Sequence, residues 1–158
     1  MLTAEETAQI DREITKFPVR RSACLEALGV VQKHRGWVSD EALKSVADYL
    51  GMSATELDGI ATFYNLIYRK PVGKKVIRIC ESVTCFILGY DQIRAQIEEE
   101  LGIKLGQTTP DGEFTLLPTP CLGTCDKAPA MMINDVLHRN LRKETIGPIL
   151  REKQNPPA

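Results

Sequence analysis

Charge of one sign is the first thing this sequence lacks. In 158 residues, 20 Lys and Arg stand against 21 Asp and Glu, a net charge of −1. That balance gives no general attraction for nucleic acid phosphates or an anionic lipid surface, so neither is expected as a partner. Long apolar runs are missing too. None approaches the roughly 18 residues that a membrane helix needs, and no direct membrane insertion is expected. The start, Met1-Leu-Thr-Ala-Glu-Glu, is acidic and amphipathic, not a basic region followed by an apolar one, so no secretory signal and a cytoplasmic location are expected. No internal repeat or low-complexity tract occurs. His34 and His138, the two histidines, are isolated and read as surface or packing residues rather than ligands. With 43% hydrophobic and 26% charged residues, what remains is the composition of an ordinary globular chain. A chain of this length has room for one domain or two small ones, with enough buried surface to fold without a staple.

The expected class is α+β, in two parts. Residues 1–70 read as a small helical bundle. Thr3 with Glu6 forms a capping box for a first helix carrying Ile10, Ile14 and Phe17, which Pro18 stops. A second helix runs from about Arg20 to Gly36 with Cys24, Leu28 and Val31 on one face. Ser39 starts a third, with Leu43, Val46, Ala47 and Leu50, and Gly51 closes it. Ser53 with Glu56 makes a second capping box ahead of Leu57, Ile60, Ala61 and Tyr64. The stretch Arg69-Lys-Pro-Val-Gly-Lys-Lys marks a domain boundary, and 71–158 form the second domain. There, Lys75–Cys80 reads as a strand, and Tyr90, Ile93, Ile97 and Leu101 as a helical stripe ending at Gly102. Pro110-Asp-Gly turns into a strand over Phe114–Leu117, and Ala130–Ile133 and Val136–His138 form two short strands around Asn134-Asp135. A last helix is expected over about 143–153, with Pro148 in its first turn or kinking it. Glu98-Glu-Glu100 reads as a solvated face.

Five cysteines remain, at 24, 80, 85, 121 and 125. An odd count without an export signal argues against a disulfide framework. Cys24 sits alone on an apolar helical face and reads as a small core residue. The other four form a C-x4-C pair, Cys80-Glu-Ser-Val-Thr-Cys85, and a C-x3-C pair, Cys121-Leu-Gly-Thr-Cys125. Each pair follows a predicted strand, which sets the thiols at one end of the sheet. Two pairs on two loops match a two-iron cluster, in which each iron takes two protein thiolates besides the bridging sulfides. The small residues between them leave backbone N–H groups free to approach the sulfurs, and Gly123 permits a left-handed turn. Structural zinc also uses four cysteines, but usually with two-residue gaps. A thiol–disulfide enzyme would carry C-x-x-C, and a four-iron cluster three closely spaced ligands; neither pattern occurs. Four buried, unligated cysteines would not explain the pairing. Lys127 and Asp126 beside the last cysteine act on the charge of such a centre in opposite senses.

Cys80-Glu-Ser-Val-Thr-Cys85-Phe-Ile-Leu-Gly-Tyr, Gly106-Gln-Thr-Thr-Pro-Asp-Gly-Glu-Phe and Pro120-Cys-Leu-Gly-Thr-Cys-Asp-Lys-Ala-Pro-Ala-Met-Met-Ile-Asn-Asp together resemble the subunit designated E in bacterial NADH:quinone oxidoreductase, respiratory complex I. Ile60-Ala-Thr-Phe-Tyr extends the likeness into the helical half. The resemblance implies a thioredoxin-like domain behind a helical one, holding one [2Fe–2S] cluster on Cys80, Cys85, Cys121 and Cys125. It further implies a one-electron exchange with FMN on a partner subunit that oxidises NADH, and contact with other peripheral-arm subunits at the inner face of the cell membrane. Related subunits serve NAD-dependent formate dehydrogenases and NAD-reducing hydrogenases, an assembly that stays open, as does the zinc interaction module. No G-x-G-x-x-G fingerprint and no Walker loop occur, so NADH and flavin are expected on the partner.

Overall fold

The computed structural model describes residues 1–152. They divide into two compact units, one of Met1–Pro71 and a second beginning at Val72. The last residue of the helix expected over 143–153 and the end of the expected 71–158 domain lie outside the described residues.

In the first unit, α1 (Ala4–Ile14) opens on the reciprocal box: the Thr3 hydroxyl accepts from the Glu6 N–H, and the Glu6 carboxylate from the Thr3 N–H. Two of the helix's orphan donors are thereby satisfied. A 3-10 turn over Arg20–Ala23 leads into α2 (Cys24–Arg35), so the helix expected from Arg20 starts with a tighter turn. Ser39 caps α3 (Asp40–Leu50) and Ser53 caps α4 (Ala54–Phe63). The second box is only half formed: Ser53 accepts from the Glu56 N–H, while the Glu56 carboxylate pairs with Arg21 instead of reaching back. Ile10, Leu28, Val31, Leu43, Val46 and Leu57 meet in the core, with Cys24 packed at its edge. Tyr64 is not on that stripe; α4 ends at Phe63, and the chain turns extended there, leaving the ring 45% exposed.

One charge is buried in this unit. Glu6 is fully inaccessible, and its carboxylate accepts from Arg35 Nε at 2.6 Å and Nη2 at 2.7 Å besides the Thr3 N–H. The Arg35 guanidinium, helped by Thr3, holds the Glu6 carboxyl down at about 2 against the opposing effect of burial. Farther on, the segment leaving α4 is tied down by side chains. Gln32 donates to the Leu66 carbonyl and accepts from the Tyr68 N–H, and Arg69 pairs with Asp40 and Asp58.

The second unit is a sheet with helices on one face. Its elements are β1 (Lys75–Cys80), α5 (Val83–Ile87), α6 (Tyr90–Leu101), β2 (Phe114–Thr119), β3 (Met131–Ile133), β4 (Val136–His138) and α7 (Lys143–Arg151). The order across the sheet is β2-β1-β3-β4, with β1 parallel to β2 and the remaining pairs antiparallel. Ile77 and Ile79 of β1, Leu116 of β2 and Met131 and Ile133 of β3 pack against Ile93 and Ile97 of α6 and Ile146 and Leu150 of α7. β2 runs two residues past the expected Leu117 and takes in Pro118. An edge strand tolerates the missing N–H of proline, and β2 is an edge. Pro148 sits in the interior of α7, not in its first turn, and forgoes one intrahelical hydrogen bond there. Among the described residues no helix is long and apolar enough to cross a membrane.

Candidate metal centre

Four cysteines come together where β1 and β2 end. Cys80 is the last residue of β1, and its N–H donates to the Ala130 carbonyl while the next residue, Glu81, donates to the Thr119 carbonyl. These bonds fix the loop's departure from both neighbouring strands. Cys85 follows on α5, a five-residue helix that the sequence pattern did not suggest. Cys121 and Cys125 lie in the loop leaving β2, with Cys125 opening a 3-10 turn through Lys127. That loop is pinned from behind: the Asn140 N–H donates to the Lys127 carbonyl at 2.8 Å and the Leu141 N–H to the Pro129 carbonyl at 3.1 Å.

The two pairs sit in different surroundings. Cys80 and Cys85 are buried, Cys121 and Cys125 exposed, and no disulfide links any of them. Cys121 Sγ lies 3.3 Å from Cys125 Sγ, and the Gly123 N–H donates to Cys121 Sγ at 3.3 Å. Gly123 has φ of +75°, a left-handed conformation that turns its N–H back onto the sulfur and that a β-carbon would strain. Cys80 touches both pairs, through Cys85 on one side and Cys121 on the other. Burial, reinforced by neighbouring Cys80, pushes the Cys85 thiol up to about 11, although the Ala130 N–H works against this. The Gly123 N–H, then Cys125, holds Cys121 below the usual thiol range. Cys125 is raised, chiefly by Cys121 beside it, with the Thr84 hydroxyl opposing. Cys24 packs at the edge of the first unit's core.

The donors that the two loops bring together are four thiols, the chemistry that iron–sulfur clusters use. One orphan atom fits the same group. Thr124 Oγ1, inside the second pair's loop, is buried without a hydrogen-bond partner, a donor suited to a cluster or thiolate sulfur. Two irons ask for two pairs of thiolates, and two pairs are present. The segment that carries Cys85 presents apolar side chains to the surface, with Val83, Phe86, Ile87 and Leu88 exposed. The cysteine spacing was visible in the sequence. The Thr84 and Thr124 hydroxyls and the Ala130 N–H were not, because only the sheet brings residues 84, 124 and 130 together.

Comparison with known proteins gives a family and a fold. The model of the thioredoxin-like [2Fe–2S] ferredoxins matches residues 10–154. The NADH-quinone oxidoreductase subunit designated E in Escherichia coli K12 is 52% identical over 149 residues, covering 94% of this chain and 90% of that protein. The same-named subunit of Pseudomonas aeruginosa is 46% identical over 150 residues, covering 95% and 90%. A solved structure of an air-oxidised NAD+-reducing [NiFe]-hydrogenase aligns with a TM-score of 0.69 over 81% of this chain and 22% of its own length. Its identity is 23%, and the likeness speaks for the fold alone.

Proposed function

The chain belongs to the thioredoxin-like [2Fe–2S] ferredoxin family, and on that premise we propose that it is the iron–sulfur electron-transfer subunit of an NADH dehydrogenase module in an NADH:quinone oxidoreductase. Cys80 and Cys85 would hold one iron and Cys121 and Cys125 the other. The observation that carries this assignment is the meeting of both cysteine pairs at one end of the sheet, Cys80 touching Cys85 and Cys121. A bound [2Fe–2S] cluster supplies one-electron exchange, and the partner for that electron is FMN on the subunit that oxidises NADH.

This chain's own residues do the rest. The strand end at Cys80 and the pinned loop behind Cys125 preorganise the four sulfurs, so little ordering is left for the moment of metal binding. The N–H groups of Gly123 and Ala130 and the hydroxyl of Thr84 stabilise negative charge on sulfur. The exposed pair, Cys121 and Cys125, puts one edge of the centre at the surface, where an electron can cross to another protein. The apolar rim of Val83, Phe86 and Ile87 beside it is the kind of surface that a partner subunit covers.

Anaerobic purification tests the reading. The protein should be coloured, should bleach with dithionite and should then show an electron paramagnetic resonance signal. A colourless protein carrying zinc would refute it. Co-purification with a flavoprotein that oxidises NADH, alongside membrane subunits, supports the respiratory assembly. A soluble formate dehydrogenase or hydrogenase partner would relocate the chain without changing its centre.

A further inference from the structure

Arg78 has no place in the scheme above. It lies in the middle of β1, the strand that β2 and β3 flank, and is only 8% exposed. Side chains alternate along a strand, so Arg78 shares a face with Cys80, while Ile77 and Ile79 enter the helix-covered core. Its Nη2 donates to the Asn134 carbonyl, and its Nε is buried with no hydrogen-bond partner. Among the described residues, none of the ion pairs includes it. A buried guanidinium without a carboxylate is costly, and a strand interior needs no arginine for packing. The cation is better explained by an anion elsewhere on its side of the sheet.

We infer that Arg78 is a positioning residue for the electron carried at the four-cysteine centre, a fixed buried charge that makes uptake of that electron easier. The inference rests on the iron–sulfur reading above. Four thiolates and two sulfides against two ferric ions leave a net dianion, and uptake of one electron adds a further negative charge. A cation nearby favours that addition. The Asn134 N–H bonds to the Val76 carbonyl, which places the guanidinium's acceptor near the start of β1. Two strand residues span about 7 Å and four about 13 Å, so the charge lies about 10 Å from Cys80. With an effective dielectric constant of about 20, one charge at that range shifts the reduction equilibrium roughly tenfold. Glu81, Asp126 and Lys127 stand nearer in sequence to the ligands, but they are exposed. Water and salt screen them, and they do not replace a buried charge.

Redox titration of the loaded full chain with dithionite and mediators, followed by electron paramagnetic resonance, tests this. In Arg78→Gln the midpoint should fall by about 59 mV, the one-electron equivalent of tenfold. Arg78→Lys, which keeps the charge, should stay near wild type. An unchanged midpoint in fully loaded Arg78→Gln would overturn the inference, as would an equal fall in Arg78→Lys, which would point to a structural cause. Met132 stands directly across the ladder from Arg78 and is half-buried, so it offers a second route if Arg78→Gln loads poorly. Met132→Glu should lower the midpoint relative to Met132→Gln, and equal midpoints in that pair would overturn the inference. A wild-type chain with no iron signal would instead sink the parent reading and leave no potential to measure.

Discussion

Replacing Glu6 by Gln should weaken the helical unit by about 3 kcal/mol at pH 7. The figure comes from linkage: the carboxyl falls from 4.5 in the unfolded chain to about 2 in the folded one. Each pKa unit corresponds to about 1.36 kcal/mol. Since the folded value is the lower one, this stability is complete above pH 4.5 and drains away as pH falls towards 2. At pH 3 less than half of it survives. Truncating one partner of a buried ion pair typically costs about 3–5 kcal/mol. The low end applies here, because the Arg35 side chain is 31% exposed and can recover water, and a glutamine oxygen still accepts from the Thr3 N–H. The single tryptophan, Trp37, lies in this unit, so urea unfolding followed by its fluorescence reports on the affected part. A loss under about 1 kcal/mol at pH 7, or a wild-type-to-variant gap that is the same at pH 7 and pH 3, would refute the reasoning.

Other substitutions separate the roles assigned above. Cys121→Ser should abolish or strongly alter the cluster's paramagnetic signal, whereas Cys24→Ser should leave it intact; an unaltered Cys121→Ser spectrum removes that ligand. Gly73→Ala should destabilise the second unit by about 1–3 kcal/mol in denaturant, since its β-carbon would lie 2.9 Å from the Phe114 backbone, which cannot move without shifting β2. Leu116→Ala, at a fully buried position of β2 in the core, should cost about 2–5 kcal/mol by the same measurement. Pro148→Ala should go the other way and raise the melting temperature, because the exposed alanine restores an N–H to the interior of α7; a lower melting temperature would contradict the account of that helix.

Much of the fold was legible because its signals are local. Thr3, Ser39 and Ser53 start helices where their hydroxyls accept from the first turn. The apolar stripes of α3 and α6 repeat at helical spacing, and β1 stands out as a short β-branched run. What stayed hidden depends on partners distant in sequence. In sequence Glu6 shows only as half of a capping box; Arg35, 29 residues on, closes over it in the fold. Glu56 failed to complete its box for the same kind of reason, being drawn to Arg21. Pro118 reads as a strand stop unless the strand is known to be an edge, and strand order is not written in the local pattern. α5 has five residues, too few to show a period, and its apolar side chains face outward.

The centre shows the same division between spacing and environment. Two cysteine pairs of nearly equal spacing look interchangeable in sequence, but the sheet makes them unequal. Cys80 ends a strand flanked on both sides, so it is buried, and α5 carries Cys85 in behind it. Cys121 leaves an edge strand, so its loop stays at the surface with Cys125. One topology therefore yields an inner Cys85 that resists ionisation and an outer Cys121 that favours it. In the scheme we propose, an electron from a partner meets the outer pair first, while the Arg78 charge acts from the inner side. If a cluster bound here, exchanging the two environments would require exchanging the strands, which no substitution at the cysteines can do. The asymmetry is a property of the sheet, and variants that move β2 inward or outward, Gly73→Ala among them, should disturb the outer pair before the inner one.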